Sequence, residues 1–176
     1  MSSKNFRKKI QRIRVLLLDV DGVLTDGTII YNGDGQEMKA FNIRDGAAIK
    51  WLQRAGLEVA ILSGRNSAPV LVRAKELGIE KVIQSAYDKL PAFDKFLSES
   101  GCQADEVAYI GDDFHDLPVL KRAGFSACPA DAVSEVKKTV DYVCRSKGGN
   151  GVIREVAEMI LKSQKKWQNI LKRYMV

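Results

Sequence analysis

The chain of 176 residues has little of several things. It carries one histidine, three cysteines and four prolines. One histidine excludes a histidine-rich metal site. The cysteines, Cys102, Cys128 and Cys144, are odd in number and widely spaced. They form neither a disulfide framework nor a C-x-x-C knuckle, and are expected to be reduced residues of a cytoplasmic protein. Four prolines and 14 glycines exclude collagen-like and disordered chains. No apolar run approaches the ~20 residues of a membrane span, and the early run Val15 to Leu18 stops at Asp19. The basic N-terminus lacks the apolar stretch and cleavage site of a signal peptide. Acidic residues are missing from both ends. Residues 1–14 hold six basic side chains and residues 162–176 hold five, with no acid in either segment. The net charge is +6, yet removing these eleven leaves 17 basic against 22 acidic residues in the body. The ends read as solvated tails or arms for a partner subunit. No zinc finger, RRM signature or aromatic-basic interleaving supports nucleic-acid binding.

What is present fits one soluble α/β domain spanning 1–176, with 45% hydrophobic and 28% charged residues. Phe6, Ile10 and Ile13 have the spacing of a short amphipathic helix. Val15 to Val20 reads as a buried strand. Thr28 to Tyr31 and Gln36 to Phe41, around Asn32-Gly-Asp-Gly35, predict a β-hairpin. Strand–helix alternation follows. Asp45 is expected to cap a helix to Ala55, and Asn66 or Ser67 one to Leu77. Strands are predicted at 57–62, 81–83 and 106–110, with short edge strands at 125–128 and 142–144. Helices are predicted from Pro91 to near Gly101, from His115 to Ala123 and at 132–139, and a long basic one at 152–176. This is a three-layer, Rossmann-like parallel sheet, whose ligands bind beyond the carboxyl ends of the strands.

Chemistry-bearing residues follow three of those strands. The first ends in Asp19-Val-Asp21-Gly22, the second in Ser63-Gly64-Arg65, and the third in Gly111-Asp112-Asp113, with Asp116 a turn later. Parallel neighbours would bring all of them to one rim. Acids following glycine are by themselves ordinary turn and cap residues. Together, Asp19 and Asp112 would repel unless compensated, and a hard divalent cation does that. In an extended segment Asp19 and Asp21 point to one side, so two carboxyls can flank one phosphorus. A carboxylate nucleophile forming an aspartyl-phosphate is one form of covalent catalysis.

The series Asp19-Val-Asp-Gly-Val-Leu-Thr-Asp26, Ser63-Gly-Arg65, Lys89 and Gly111-Asp-Asp-Phe-His-Asp116 resembles the haloacid dehalogenase superfamily of phosphatases. Within it, Phe41-Asn-Ile-Arg-Asp-Gly46, Arg73-Ala-Lys-Glu-Leu-Gly78, Asp88-Lys-Leu90 and Gly148-Gly-Asn-Gly-Val-Ile-Arg-Glu-Val156 look like the small 3-deoxy-D-manno-octulosonate 8-phosphate (KDO 8-phosphate) phosphatases, which lack a cap domain. The resemblance implies that Asp19 is nucleophile and Mg²⁺ ligand. It implies that Asp21 is general acid and then base, with its carbonyl on the metal, and that Asp112 is the second carboxylate ligand. By the same likeness Ser63 and Lys89 hold phosphoryl oxygens, while Asp113 and Asp116 orient metal-bound water or Lys89. Arg65, beside Gly64, lines the substrate pocket, and Arg73 reaches a neighbouring site or is simply solvated. Arginine suits the substrate carboxylate. Sugar-acid phosphatases of the nonulosonate type have Glu at the place of Arg65, so the eight-carbon acid is favoured. The alternatives are a nonulosonate 9-phosphate or other small phosphate as substrate, or a silent tetramerisation module; the intact Asp19, Asp21, Lys89 and Asp112 speak against silence.

Only about forty residues separate Asp21 from Ser63, enough for the hairpin (about 26–42) and one helix but not for a cap. The resemblance implies a homotetramer built on the hairpins. The basic, aromatic end of the chain departs from the flexible tail of relatives. His115 is expected to be exposed or outside direct contact with the reaction, and Trp51 and Trp167 to be packing residues.

Overall fold

A computed structural model describes residues 3–175; residues 1, 2 and 176, which the one-domain and terminal-helix readings include, lie outside the described residues. The chain runs α1 (Ser3–Gln11), β1 (Val15–Leu18), β2 (Ile30–Tyr31), β3 (Glu37–Met38), α2 (Ile43–Arg54), β4 (Glu58–Leu62), α3 (Ala68–Leu77), β5 (Val82–Ile83) and α4 (Lys89–Ser100). It continues with β6 (Val107–Ile110), α5 (Leu117–Arg122), β7 (Phe125–Cys128), α6 (Ser134–Thr139), β8 (Tyr142–Val143), α7 (Val152–Ser163) and α8 (Trp167–Lys172). Single 3₁₀ turns at Ala104–Glu106 and Phe114–Asp116 precede β6 and α5.

Six strands form one parallel sheet in the order β5-β4-β1-β6-β7-β8. The period of two along each strand builds two cores. Leu16, Leu18, Val59, Ile61, Ala108 and Ile110 pack on one face beneath α1, α2 and α7. Val15, Leu17, Ala60, Leu62, Val107 and Tyr109 pack on the other, against Phe93 and Phe96 of α4 and Val119 and Leu120 of α5. Central strands buried on both faces are uniformly apolar, as helix-covered parallel strands must be. Each such Leu or Phe contributes about 1.5–3 kcal/mol by leaving water. The registers Leu18↔Ile61 and Leu18↔Ile110 align β1, β4 and β6, so their carboxyl ends finish level.

The predicted three-layer architecture holds, with differences at its margins. The hairpin forms, but β2 and β3 are two residues each, paired Ile30↔Met38 and Tyr31↔Glu37. Asn42, not Asp45, caps α2, its Oδ1 accepting from the N–H of Arg44 and Asp45. Asp45 is instead buried and accepts from the N–H of Gly151 and Arg154, so it joins α2 to the start of α7. β7 lies inside the sheet and β8 alone forms that edge, because the short β8 pairs outside it. The long terminal helix breaks in two. Lys165 adopts a left-handed φ of 59°, and the Gln164 side chain donates to the carbonyls of Ile10 and Ile13. That turn lays Trp167 edge-on against Trp51, with ring centroids 5.6 Å apart, and Tyr174 closes the same cluster through Trp51 Nε1.

The basic ends fold onto the body. Lys9 pairs with the little-exposed Asp141 at 2.7 Å, and Arg14 pairs with Glu106 at 3.1 Å. All three cysteines are buried and free. No helix among the described residues is long and apolar enough to cross a membrane.

Candidate active site

The level ends of β1, β4 and β6 open into one cavity of about 420 Å³. Asp19, Asp21, Ser63, Arg65, Lys89 and Asp112 line it, with Gly64, Asp113, His115 and Asp116 at its wall. The sequence-predicted residues therefore meet, with the exception of Arg73.

Asp19 directly follows β1, with a buried side chain. Lys89, the first residue of α4, brings its ammonium 2.8 Å from Asp19 Oδ1 and 2.7 Å from Asp116 Oδ1. Asp116 is saturated with donors. It accepts from Lys89, from the Tyr109 hydroxyl, and from the N–H of Asp112 at 2.9 Å and of Asp113 at 3.2 Å. Asp112 is pressed against the main chain after β1. Gly22 has a φ of 82°, and a Cβ there would run into the Asp112 carboxylate. Asp113 is exposed and caps the 3₁₀ turn by accepting from Phe114 N–H at 2.7 Å. His115 is exposed. The Ser63 hydroxyl is buried at the end of β4 and accepts from Arg65 N–H.

Oxygens of Asp19, Asp112 and Asp116 all come within 4.8 Å of one another. Three acids and one lysine leave the cluster short of positive charge. Burial, and then the nearness of Asp116, push the Asp19 carboxyl up to about 8. Burial followed by Asp116 and Asp113 pushes Asp112 up to about 7. Burial alone would lower Lys89, but Asp19 and Asp116 outweigh it and hold the ammonium above its ordinary value. This donor set fits Mg²⁺, a hard cation that takes one or two carboxylates and keeps its remaining positions for water and phosphate. Since Asp116 is committed to four donors, Asp19 and Asp112 are the carboxylates left to face an ion.

Asp21 lines the same cavity and belongs to a second cluster. Its Oδ1 meets Lys39, and Arg65 Nη1 approaches Oδ2 at 3.5 Å. Glu37 takes Arg65 Nη2 at 2.7 Å and Lys39 at 3.3 Å. Lys39, Glu37 and Tyr109 were not legible as site residues. The signal for the first two was a pair of charges two residues apart in the predicted strand 36–41. For Tyr109 it was a hydroxyl within an apolar central strand, where it needs a partner. Arg73 does not line this cavity. It reaches Glu76 at 3.1 Å and lies over the Phe41 ring, 6.0 Å from its centroid.

The fold and the site are those of a haloacid dehalogenase-like hydrolase, and the model of that family matches residues 72–156. Closer likeness is found among individual proteins. The chain is 43% identical over 159 residues to the 3-deoxy-D-manno-octulosonate 8-phosphate phosphatase KdsC of Yersinia pestis, across 90% of this chain and 85% of that one. Its backbone matches the Moraxella catarrhalis 3-deoxy-D-manno-octulosonate 8-phosphate phosphatase, solved with magnesium, phosphate and KDO, at a TM-score of 0.96 and 39% identity. That match covers 99% of this chain and all of the other. The Yersinia pestis enzyme structure matches at 0.91 with 42% identity, over 93% and 89% of the two chains. The chain belongs to the 3-deoxy-D-manno-octulosonate 8-phosphate phosphatase family.

Proposed function

We propose that this protein is a Mg²⁺-dependent phosphomonoesterase that releases phosphate from 3-deoxy-D-manno-octulosonate 8-phosphate. The observation that carries the reading is Asp19: a buried carboxylate 2.8 Å from a buried lysine and within 4.8 Å of a second acid, at the mouth of the sheet. Asp19, Asp112 and the main-chain carbonyl of Asp21 would hold the ion. Bound Mg²⁺ supplies positive charge that keeps Asp19 ionised and offsets charge on the phosphoryl oxygens.

The chain's own residues perform the rest. A carboxylate oxygen of Asp19 attacks phosphorus as the bond from phosphorus to the sugar oxygen breaks. Asp21 donates a proton to that leaving oxygen. Asp21 then takes a proton from water as the water oxygen attacks the phosphorus of the aspartyl-phosphate. The Asp19–phosphorus bond breaks and inorganic phosphate leaves. Ser63 and Lys89 hold the transferring oxygens, where fixed charge and position account for most of the catalysis. Asp116 keeps Lys89 in place, and Asp113 orients water at the rim. Arg65 takes the substrate carboxylate, flanked by Gly64.

The same reading covers the organisation of the protein. One phosphatase domain spans the chain, working in the cytoplasm as a homotetramer. The hairpin supports the assembly, since Ile30, Tyr31 and Met38 are exposed on strands too short to be stable alone. Arg73 then serves a neighbouring subunit's pocket. The test is phosphate release from a panel of sugar phosphates with and without Mg²⁺, using Asp19→Asn as control. Turnover of the eight-carbon acid phosphate with Mg²⁺, falling at least ~10⁴-fold in the variant, is expected for a lost nucleophile. Turnover that survives Asp19→Asn overturns the covalent route.

A further inference from the structure

Glu37 opens β3 and Lys39 directly follows that strand, with the exposed Met38 between them. Their side chains meet on one side of the hairpin, the Lys39 ammonium 3.3 Å from Glu37 Oε1. The Lys39 side chain is 1% exposed, although it belongs to a surface hairpin. Its ammonium meets Asp21 Oδ1 and Glu37 Oε1. Glu37 is itself fixed, by Arg65 Nη2 and by the Ser67 hydroxyl. Ser67 is fixed in turn, its N–H donating to Gln84 Oε1 and its carbonyl accepting from Gln84 Nε2 at 3.2 Å. A continuous chain of polar contacts thus runs from β5 through the start of α3 and β3 to one oxygen of Asp21. Among the described residues, the other oxygen meets only Arg65, at 3.5 Å.

Burying an ammonium is costly before pairing, and replacing a whole buried ion cluster by apolar residues of similar size is commonly neutral for stability. The cluster as a whole thus has little folding advantage over apolar packing at the same place. What it provides is orientation: one Asp21 oxygen is tied, and its partner is left for proton transfer.

We infer that Lys39 is a positioning residue for phosphoryl transfer, fixing Asp21 by one oxygen so that the other meets the leaving sugar oxygen. The inference rests on the reading of Asp21 as the proton donor. In that step the proton on Asp21 passes to the sugar oxygen while the phosphorus–oxygen bond breaks and the Asp19–phosphorus bond forms. Lys39 exchanges no proton and touches no reacting atom.

The experiment compares two substrates in the full-length, Mg²⁺-loaded protein. The alkyl leaving group of the sugar-acid phosphate needs a proton, whereas p-nitrophenolate leaves as a stable anion. kcat/KM covers the steps through phosphoenzyme formation and so excludes the later hydrolysis, which is shared. Asp21→Asn is expected to lower kcat/KM by about 10²-fold or more on the sugar phosphate, and by about tenfold or less on p-nitrophenyl phosphate. Lys39→Met is expected to show the same bias, with a loss of about 10–100-fold on the sugar phosphate. Lys39→Arg should restore part of it. Lys39→Gln carries the same comparison should the Met variant fail to melt cooperatively. An equal loss on both substrates, or no loss, beside a biased Asp21→Asn, overturns the role of Lys39. An unbiased Asp21→Asn overturns the reading of Asp21 on which it rests.

Discussion

Two buried lysines hold residues that line the cavity, and each is itself held by two carboxylates. Lys89 bridges Asp19 and Asp116, while Lys39 bridges Asp21 and Glu37. The electrostatic outcomes are opposite. Around Lys89 a third acid, Asp112, tips the balance, and the Asp19 and Asp112 carboxyls rise to about 8 and about 7. Around Lys39, Arg65 supplies a second cation. Burial alone would raise Glu37, but the hydrogen bond from Ser67 and the charges of Lys39 and Arg65 hold it below the usual range. One wall of the pocket is therefore short of positive charge and the other is balanced. The deficit marks where a divalent cation belongs, and the balance marks where Asp21 is held without one.

Removing each lysine should break that contrast most strongly. Lys89→Met leaves buried acids without their cation. It should cost about 3–5 kcal/mol in chemical denaturation without Mg²⁺ and about 10²–10³-fold in kcat. Lys39→Met should cost far less in stability, because Asp21 is partly exposed and Glu37 keeps Arg65. Equal destabilisation by the two would contradict the contrast.

A pH series sharpens it. Without metal, the native state keeps protons on Asp19 and Asp112 at pH values where the unfolded chain has released them. Stability of the metal-free protein should then fall as pH rises from about 4 to 8. Mg²⁺ must displace those protons, so its affinity should rise across the same range. Glu37 acts in the opposite sense, its stabilisation being lost as pH falls below the ordinary carboxylate range. Melting temperatures of chelator-treated protein and calorimetric Mg²⁺ titrations check both slopes. A flat metal-free profile between pH 5 and 8 would be the contrary result.

The smallest effect is expected from Tyr109→Phe. It deletes a donor to Asp116 but leaves Lys89 and two backbone N–H groups on that carboxylate. A loss of about 0.5–1.5 kcal/mol is expected, with kcat falling less than in Lys89→Met. Denaturation and steady-state kinetics on the one variant check this.

How much of this was legible differs between the two walls. Asp19, Ser63 and Asp112 each follow an apolar strand, so strand periodicity and the parallel-sheet rule suffice to bring them together. Lys89 is separated from β5 by a loop and opens α4, and only the family pattern singled it out. Lys39 and Glu37 were hidden because a short polar hairpin reads as solvent-facing, and nothing local shows which face turns inward. Asp45 looked like the cap of its own helix, yet its partner is a segment more than a hundred residues later. The break at Lys165 carries no glycine or proline to announce it. It follows from long-range contacts of Gln164 and Trp167 with α1 and α2.

The packing of α8 on α2 has a practical result. The chain has two tryptophans, and both are at that one contact, with neither lining the catalytic cavity. Intrinsic indole emission from this protein is thus a local gauge of whether its last helix is seated. Occupancy of the phosphate pocket has to be followed by some other optical label.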